Sequence, residues 1–265
     1  GLFSNPNYAA IWLALTLPFA ILLLKKSNFP SIKNTLLLTF SLLIIYMILL
    51  TGSRNGMLGI IIAGILLYGF KRIFITIIPI FSLISFEIFF RSIIHKGESF
   101  YDKLSFSHLL EKITTIEFSN VPRLEIWKSA LVRIQERPFL GWGASTFSFL
   151  HERHNENLIQ PKIIVMASHS HNIFLEIAHN FGIPLSIILI STIMLILLKT
   201  WRYIFFKNNL NDEFLLKKAW FASSLIVFIN HLSDLTYYDG KISILISLLF
   251  AGLKCIYDEK QKIIL

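Results

Sequence analysis

The chain has little cysteine and little charge. Its single cysteine, Cys255, excludes an intrachain disulfide and any metal cluster built from several cysteines. Charged residues make up only 15% of the 265 positions, whereas a soluble domain carries roughly 25%. Apolar residues make up 54%, more than a soluble chain of this length can bury. This composition excludes a soluble globular protein, a disordered chain and a collagen-like fibre, and it predicts several membrane-spanning helices.

Long apolar runs define the predicted architecture. A helix that crosses a bilayer needs about 20 apolar residues. Seven segments predict such spans, and hence an all-α polytopic membrane protein: residues 8–24, 34–53, 55–70, 73–90, 172–198, 219–233 and 242–253. The chain divides accordingly into residues 1–90 with four spans, residues 91–170 as one large polar loop, and residues 171–265 with three spans and a short tail.

The basic residues predict the orientation of these spans. The short connections and the tail on one side hold 13 Lys and Arg residues, and those on the other side hold Arg54 and Lys241. Because cytoplasmic loops are enriched in Lys and Arg, the first side is predicted to be cytoplasmic. Residues 1–7, Arg54, the large loop and residues 234–239 then lie outside. The net charge of +9 follows from this topology and does not indicate nucleic-acid binding.

One amphipathic helix is predicted inside the large loop, over residues 123–137, with Pro138 ending it. Four apolar side chains recur at helical spacing on one face, which we expect to pack on the membrane domain or to lie in the interface: Leu124, Trp127, Leu131 and Ile134.

Two arginines are candidate anion ligands. Arg54 lies in the glycine-flanked turn TGSRNG between two apolar runs; it is either a headgroup anchor or the ligand of a phosphate, which a guanidinium binds through two parallel hydrogen bonds. Arg123 opens the predicted amphipathic helix, where it is either solvated or a second phosphate ligand beside a helix N-terminus.

A histidine-containing segment, SHSHN, stands where the loop re-enters the membrane. The His171 imidazole is either an interfacial polar group or a general base for a hydroxyl nucleophile. Glu176 either orients such a base or is a buried hydrogen-bonded carboxylate. The spacings of His169 with His171 and of His151 with His154 are not decisive for zinc, and we predict no metal.

These candidates share a predicted location. The topology places Arg54, Arg123 and His171 on the same outer face, and two cations with one base at that level suit a lipid-linked phosphate donor. The sequence has no glycine-rich loop with lysine for a soluble nucleotide.

Four segments of the chain, in order, resemble the O-antigen ligase / Wzy-type O-antigen polymerase family. The resemblance covers nearly all of residues 3–198, through FSNPNYAAIWLALTLPFAILLL, TGSRNGMLG, RLEIWKSALVRIQERPFLGWGASTF and SHSHNIFLEIAHNFGIPLSIIL. Full members carry additional N-terminal helices, so we expect this chain to be the C-terminal part of a longer member.

The resemblance implies a multi-pass glycosyltransferase of the GT-C type in the bacterial inner membrane. Such enzymes use an undecaprenyl-diphosphate-linked glycan at the periplasmic face and need no metal or other cofactor. The acceptor is a lipid A core, a growing glycan or another hydroxyl compound. By resemblance, Arg54 and Arg123 bind the diphosphate and His171 activates the acceptor hydroxyl. Asn172 directly follows this base, and His169 occupies a less constrained place in the motif.

Alternative functions remain open within and beyond this family. Ligation to a lipid A core, polymerisation of repeat units and protein O-oligosaccharyl transfer differ in acceptor, and the sequence does not separate them. A transporter related to inorganic-carbon uptake is the alternative from another class. Transporters line their path with ionisable residues at mid-membrane, and the first, second, third and seventh predicted spans have none. The sequence therefore favours chemistry at the membrane surface.

Overall fold

The structure, a computed structural model, describes residues 3, 5–26, 32–70, 117–156, 167–206 and 212–264. The regular secondary structure in these ranges is entirely helical. Nine helices occur in this part of the chain: α1 (Pro6–Lys26), α2 (Ile32–Leu50), α3 (Arg54–Tyr68), α4 (Glu117–Glu136), α5 (Phe147–Glu156), α6 (Ile173–Phe181), α7 (Ile183–Phe206), α8 (Asp212–Asn230) and α9 (Gly240–Ile264).

Four of these helices, α1, α2, α7 and α9, are long and apolar enough to cross a membrane. The predicted spans 55–70 and 219–233 fall in α3, which is apolar but only 15 residues long, and in α8, whose first turns carry four charged residues. The predicted span 73–90 lies outside the described residues. The chain is a polytopic helical membrane protein.

The predicted span over residues 172–198 is not one continuous helix. Gly182, with a φ of +91°, separates α6 from α7. A Cβ atom at this position would lie 2.1 Å from the carbonyl oxygen of Phe139. Only glycine combines this backbone conformation with so close an approach of another chain segment, and the helix therefore breaks here.

The described helices fall into two compact units. The first unit holds α1–α3 and α8 as far as Ile226. Small residues lie where α1 and α3 meet. A Cβ atom added to Gly56 would lie 2.9 Å from the Ala10 Cβ, and one added to Gly59 would lie 2.8 Å from the Ala14 Cβ. Because real Cβ atoms need more room than this, glycine sets the distance between α1 and α3.

The second unit holds α4–α7, the end of α8 from Val227, the connection of residues 231–239, and α9. Here α4 packs through Ile126 and Ala130, which form a buried cluster with Phe147 and Ala167. Trp127 contacts this cluster and Ile134 is also buried.

The apolar face predicted for the loop helix is buried only in part. Leu124 and Leu131 are 51% and 49% exposed, and their position in the membrane interface stays a prediction. The helix also begins at Glu117, six residues before the predicted start. Arg123 is consequently its seventh residue and does not lie at its N-terminus.

Candidate active site

The N-terminus of α6 is attached to the connection that follows α8. Asn172 caps the helix, because its Oδ1 accepts from the backbone N–H groups of Phe174 at 2.9 Å and Leu175 at 3.2 Å. Its Nδ2 donates to the Leu232 carbonyl at 2.9 Å, and the Ile173 N–H donates to the His231 carbonyl at 2.8 Å. Two segments far apart in sequence are thus joined immediately beside His171.

His171 is held in an uncommon backbone conformation. Its φ is +53°, a value shared by few non-glycine residues. Such a conformation costs about 1–3 kcal/mol and persists only where the surroundings enforce it. Asn172, the residue after His171, is held in place by its capping bonds. The His171 side chain is held by Asp234, whose Oδ1 lies 3.0 Å from the His171 Nδ1. The imidazole remains accessible, with 27% of the side chain exposed.

Asp234 is a buried carboxylate that orients this imidazole. Burial acts to raise its pKa, but the hydrogen bond to His171, the charge of His171 and the charge of Arg123 together hold the pKa below its usual value. The Leu235 N–H also donates to Oδ1, at 2.9 Å. An ionised carboxylate only accepts hydrogen bonds. The His171 Nδ1 therefore donates to Asp234, and in the neutral form of the imidazole Nε2 carries the lone pair.

Glu176 serves a different part of the site. It is fully buried, and its Oε2 accepts from the Ser170 N–H at 2.8 Å. Its Oε1 accepts from the Tyr238 hydroxyl at 2.5 Å and from the Asn180 Nδ2 at 3.3 Å. Burial and the bond to Glu176 raise the pKa of Tyr238. Of the two roles open from the sequence, Glu176 has that of the hydrogen-bonded carboxylate, and it fixes the backbone just before His171.

His169 lies against the same imidazole. Its ring centroid is 4.3 Å from that of His171 and 5.4 Å from that of Tyr238. Burial, and then the charge of His171, lower its pKa. His169 is therefore neutral near pH 7, and its Nδ1 is 2.7 Å from the Ser168 Oγ.

A metal ion has candidate ligands at this position. His169, His171 and Asp234 each offer one ligand atom, and these atoms lie within 4.8 Å of one another. Two imidazoles and a carboxylate form a ligand set found in zinc enzymes. The absence of a metal from the reaction accordingly stays a prediction.

The second unit brings together most of the residues predicted from the sequence. His169, His171, Asn172 and Glu176 surround the start of α6, and Arg123 is near enough to influence Asp234 electrostatically. Arg54 belongs to the first unit, where it is the first residue of α3. The Ser53 side chain caps this helix by accepting from the Gly56 N–H at 3.4 Å.

The sequence left Asp234 the same two roles as Glu176, with a purely structural one favoured because Asp234 lies near the end of a predicted span, and it predicted no role for Tyr238. Both lie in the short segment of residues 234–239, which the distribution of basic residues predicted to be on the same side of the membrane as His171. An acidic residue in an outer connection was the available signal. Nothing in the sequence indicated which of the outer acidic residues would contact the imidazole.

Residues 39–190, more than half of the chain, match a family model described as O-antigen ligase. The matched range includes Arg54, Arg123, His171 and Glu176, and it ends before Asp234. No curated protein shows a significant match to the chain.

Proposed function

Because the chain belongs to the O-antigen ligase family, we propose that it transfers a glycan from an undecaprenyl-diphosphate carrier to an acceptor hydroxyl. The family comprises membrane enzymes of O-antigen ligase or polymerase type. We place the reaction at the periplasmic face of the bacterial inner membrane. The observation that carries the proposal is the pair of His171 and Asp234, an accessible imidazole oriented by a buried carboxylate.

In the proposed reaction, His171 is the general base. A hydroxyl group is a weak nucleophile at neutral pH, so a base that takes its proton during attack accelerates the reaction. The acceptor oxygen attacks the anomeric carbon while its proton passes to the His171 Nε2. The bond between that carbon and the diphosphate breaks, and its electron pair leaves with the diphosphate. Attack on the face opposite the leaving group inverts the anomeric configuration.

The two arginines bind the diphosphate in this proposal. The charge of Arg123 helps to lower the pKa of Asp234, so this arginine lies near the proposed base. This proximity supports the assignment of Arg123 as a diphosphate ligand. Arg54 is supported by its position as the first residue of α3, because backbone N–H groups at a helix N-terminus attract anions. Two guanidinium groups stabilise the negative charge that grows on the diphosphate as the bond breaks.

The proposal includes the topology. His171 and Asp234 lie in segments between helices, outside the four long apolar helices. The connection that carries Asp234 has few basic residues, as expected of an outer connection. Seven spans, with residues 91–170 as a periplasmic loop, remain our proposed arrangement.

The test is an assay with the reconstituted protein and a lipid-linked glycan donor, using lipid A core, repeat-unit glycan and acceptor peptide in turn. Loss of a positioned base costs about 10²–10⁴-fold in rate, so His171→Ala should lose transfer by this factor while retaining donor binding. Ser148→Ala, an exposed position on α5, is the control and should retain wild-type activity. His169→Ala should be milder than His171→Ala.

The same assay addresses acceptor and metal. The preferred acceptor separates a ligase from a polymerase or a protein O-oligosaccharyltransferase. Transfer should continue unchanged after treatment with EDTA, and loss of transfer that zinc restores would contradict the metal-free mechanism. Full transfer by His171→Ala would contradict the assignment of the base.

A further inference from the structure

The turn between α4 and α5 exposes two large apolar side chains. Phe139 is 75% exposed and Leu140 is 87% exposed, the highest value for a large apolar side chain in the described ranges. We refer to Pro138, Phe139 and Leu140 as the apolar tip. Exposed apolar groups at this density in a short turn indicate an interaction surface.

The apolar tip is held rigidly at the junction of α6 and α7. The Pro138 carbonyl accepts from the Ile183 N–H at 2.7 Å. On the other side of the tip, the Trp142 and Gly143 N–H groups donate to the His179 and Asn180 carbonyls at 2.8 and 3.0 Å. These bonds connect the tip to the last turn of α6 and to the first residue of α7, so its exposure is built into the fold.

The close approach also depends on glycine within the turn. Gly141 has a φ of +69°, and a Cβ atom there would lie 2.6 Å from the backbone of residues 179–181. A turn surrounded only by water would not require glycine for a close backbone contact with another segment. The backbone is pressed against the helix junction while the side chains of Phe139 and Leu140 point away from the protein core.

The junction is where a membrane span begins. Residues Ile183–Phe205 of α7 are apolar and long enough to cross a bilayer. Exposed apolar side chains continue from the last residue of α6 into α7: Phe181, Ile183, Leu185, Ile187 and Ile188. The apolar tip thus extends a lipid-facing surface laterally from the end of this span.

Residues of the membrane interface flank the tip. The Trp142 indole N–H donates to the Arg133 carbonyl at 2.8 Å, and the Arg137 guanidinium lies 4.1 Å from the Trp142 ring. Tryptophan and arginine are typical at the headgroup level, where an amphipathic ring and a cation meet phosphate. An apolar tip bordered by such residues matches the polarity profile of one leaflet.

We propose that the apolar tip inserts into the lipid bilayer beside the entry point of α7 and contacts acyl chains. The inference does not depend on the glycan-transfer reaction. Because the tip is bonded to the junction of α6 and α7, its insertion fixes the depth of α6 relative to the bilayer. His171 precedes the opposite end of this nine-residue helix, about 13 Å along its axis at 1.5 Å per residue.

The experiment uses the full chain reconstituted in liposomes. In a Cys255→Ser background, Leu140→Cys is labelled with the environment-sensitive fluorophore NBD, and quenching by doxyl-labelled lipid is compared with quenching by aqueous iodide. We expect blue-shifted emission that doxyl lipid quenches and iodide does not. Gln135→Cys, at an exposed position in the last turn of α4, is the matched control, and iodide should quench the fluorescence of its label.

Two outcomes would overturn the proposal. Quenching of the Leu140→Cys label by iodide alone would mean that the tip lies in water. Blue-shifted emission quenched by neither agent would mean that another part of the protein covers it. Phe139→Cys, labelled in the same way, is the second variant, and it decides the matter if Leu140→Cys does not assemble.

Discussion

The first unit and the region around His171 have opposite interiors. Between α1 and α3 the contacts involve alanine, glycine and isoleucine, as at Gly59 against Ala14. Around the start of α6 the buried groups are carboxylates, imidazoles and amides that bond to one another, as the Asn180 amide bonds to Glu176. The first interior is stabilised by how closely its apolar side chains pack, and the second by hydrogen bonds between its buried polar groups.

This difference predicts how each region responds to substitution. Apolar packing is not directional, and its loss appears as lost stability. A buried polar group without its partner costs free energy, and it also misplaces the groups that it orients. Substitutions around His171 should therefore change the chemistry before the stability, and substitutions between α1 and α3 should do the reverse.

Asp234→Asn should have the largest effect. An amide at this position presents an N–H group as readily as an oxygen, so it no longer fixes the His171 tautomer with Nε2 free. We expect the transfer rate to fall by about 10²-fold or more, within the range for loss of a general base, with a thermal midpoint near that of the wild type. A merely structural role would leave the pH profile of the residual rate unchanged, whereas an orienting role should shift it.

Arg54→Lys and Arg123→Lys should come next. A lysine keeps the charge but cannot make the two parallel hydrogen bonds of a guanidinium. Losing one charge-assisted bond of about 1.5–3 kcal/mol corresponds to a reduction of about 10- to 100-fold in transfer. Donor titrations should show the loss. Arg137→Lys, at an exposed position directly after α4, is the control, and equal losses in all three variants would contradict the specific role.

Gly59→Ala should affect stability with little change in the chemistry of the folded fraction. The added Cβ would lie 2.8 Å from the Ala14 Cβ and 3.3 Å from Ile226. Overpacking of this kind costs about 1–3 kcal/mol, to be measured as a lower thermal midpoint in detergent. Gly240→Ala is the matched control, because nothing lies within 4 Å of its Cβ position. A thermal midpoint unchanged by Gly59→Ala would contradict the prediction, because it would mean that α1 and α3 can move apart at little cost in free energy.

The smallest expected effect is on the pH dependence of stability. Burial lowers the pKa of both His169 and His231. As the pH falls through the unfolded value of about 6.5, the unfolded chain binds protons that the folded chain does not, so the folded state loses stability. Asp234, whose pKa is also lowered, contributes such a loss only below about pH 4.

Between pH 7.5 and 5.5 the thermal midpoint should therefore fall, by about 2–4 °C for each kcal/mol lost. The variant His231→Gln should flatten this dependence, since it removes one of the two histidines while retaining a donor for the Val227 carbonyl. A midpoint that rises on acidification would contradict the sign of the pKa shifts.

The sequence alone determined the class of protein. Apolar runs of about 20 residues require helices when they cross a bilayer, because every backbone polar group must then be paired within the segment. The family and the local motifs were also evident: the match to residues 39–190 confirms the predicted resemblance. One span was predicted over residues 172–198, and in the structure Gly182 ends one helix of this segment and the next helix begins directly after it.

Only the tertiary structure decided which groups meet. His171 and Asp234 are 63 residues apart, and no local pattern couples their positions. Likewise, the periodicity of α4 placed Leu124 and Leu131 on one apolar face with Trp127 and Ile134, but only the packing shows that Ile134 is buried within the protein and that the two leucines are exposed. The periodicity of apolar residues predicts which helices form, whereas contacts between distant segments depend on how those helices pack.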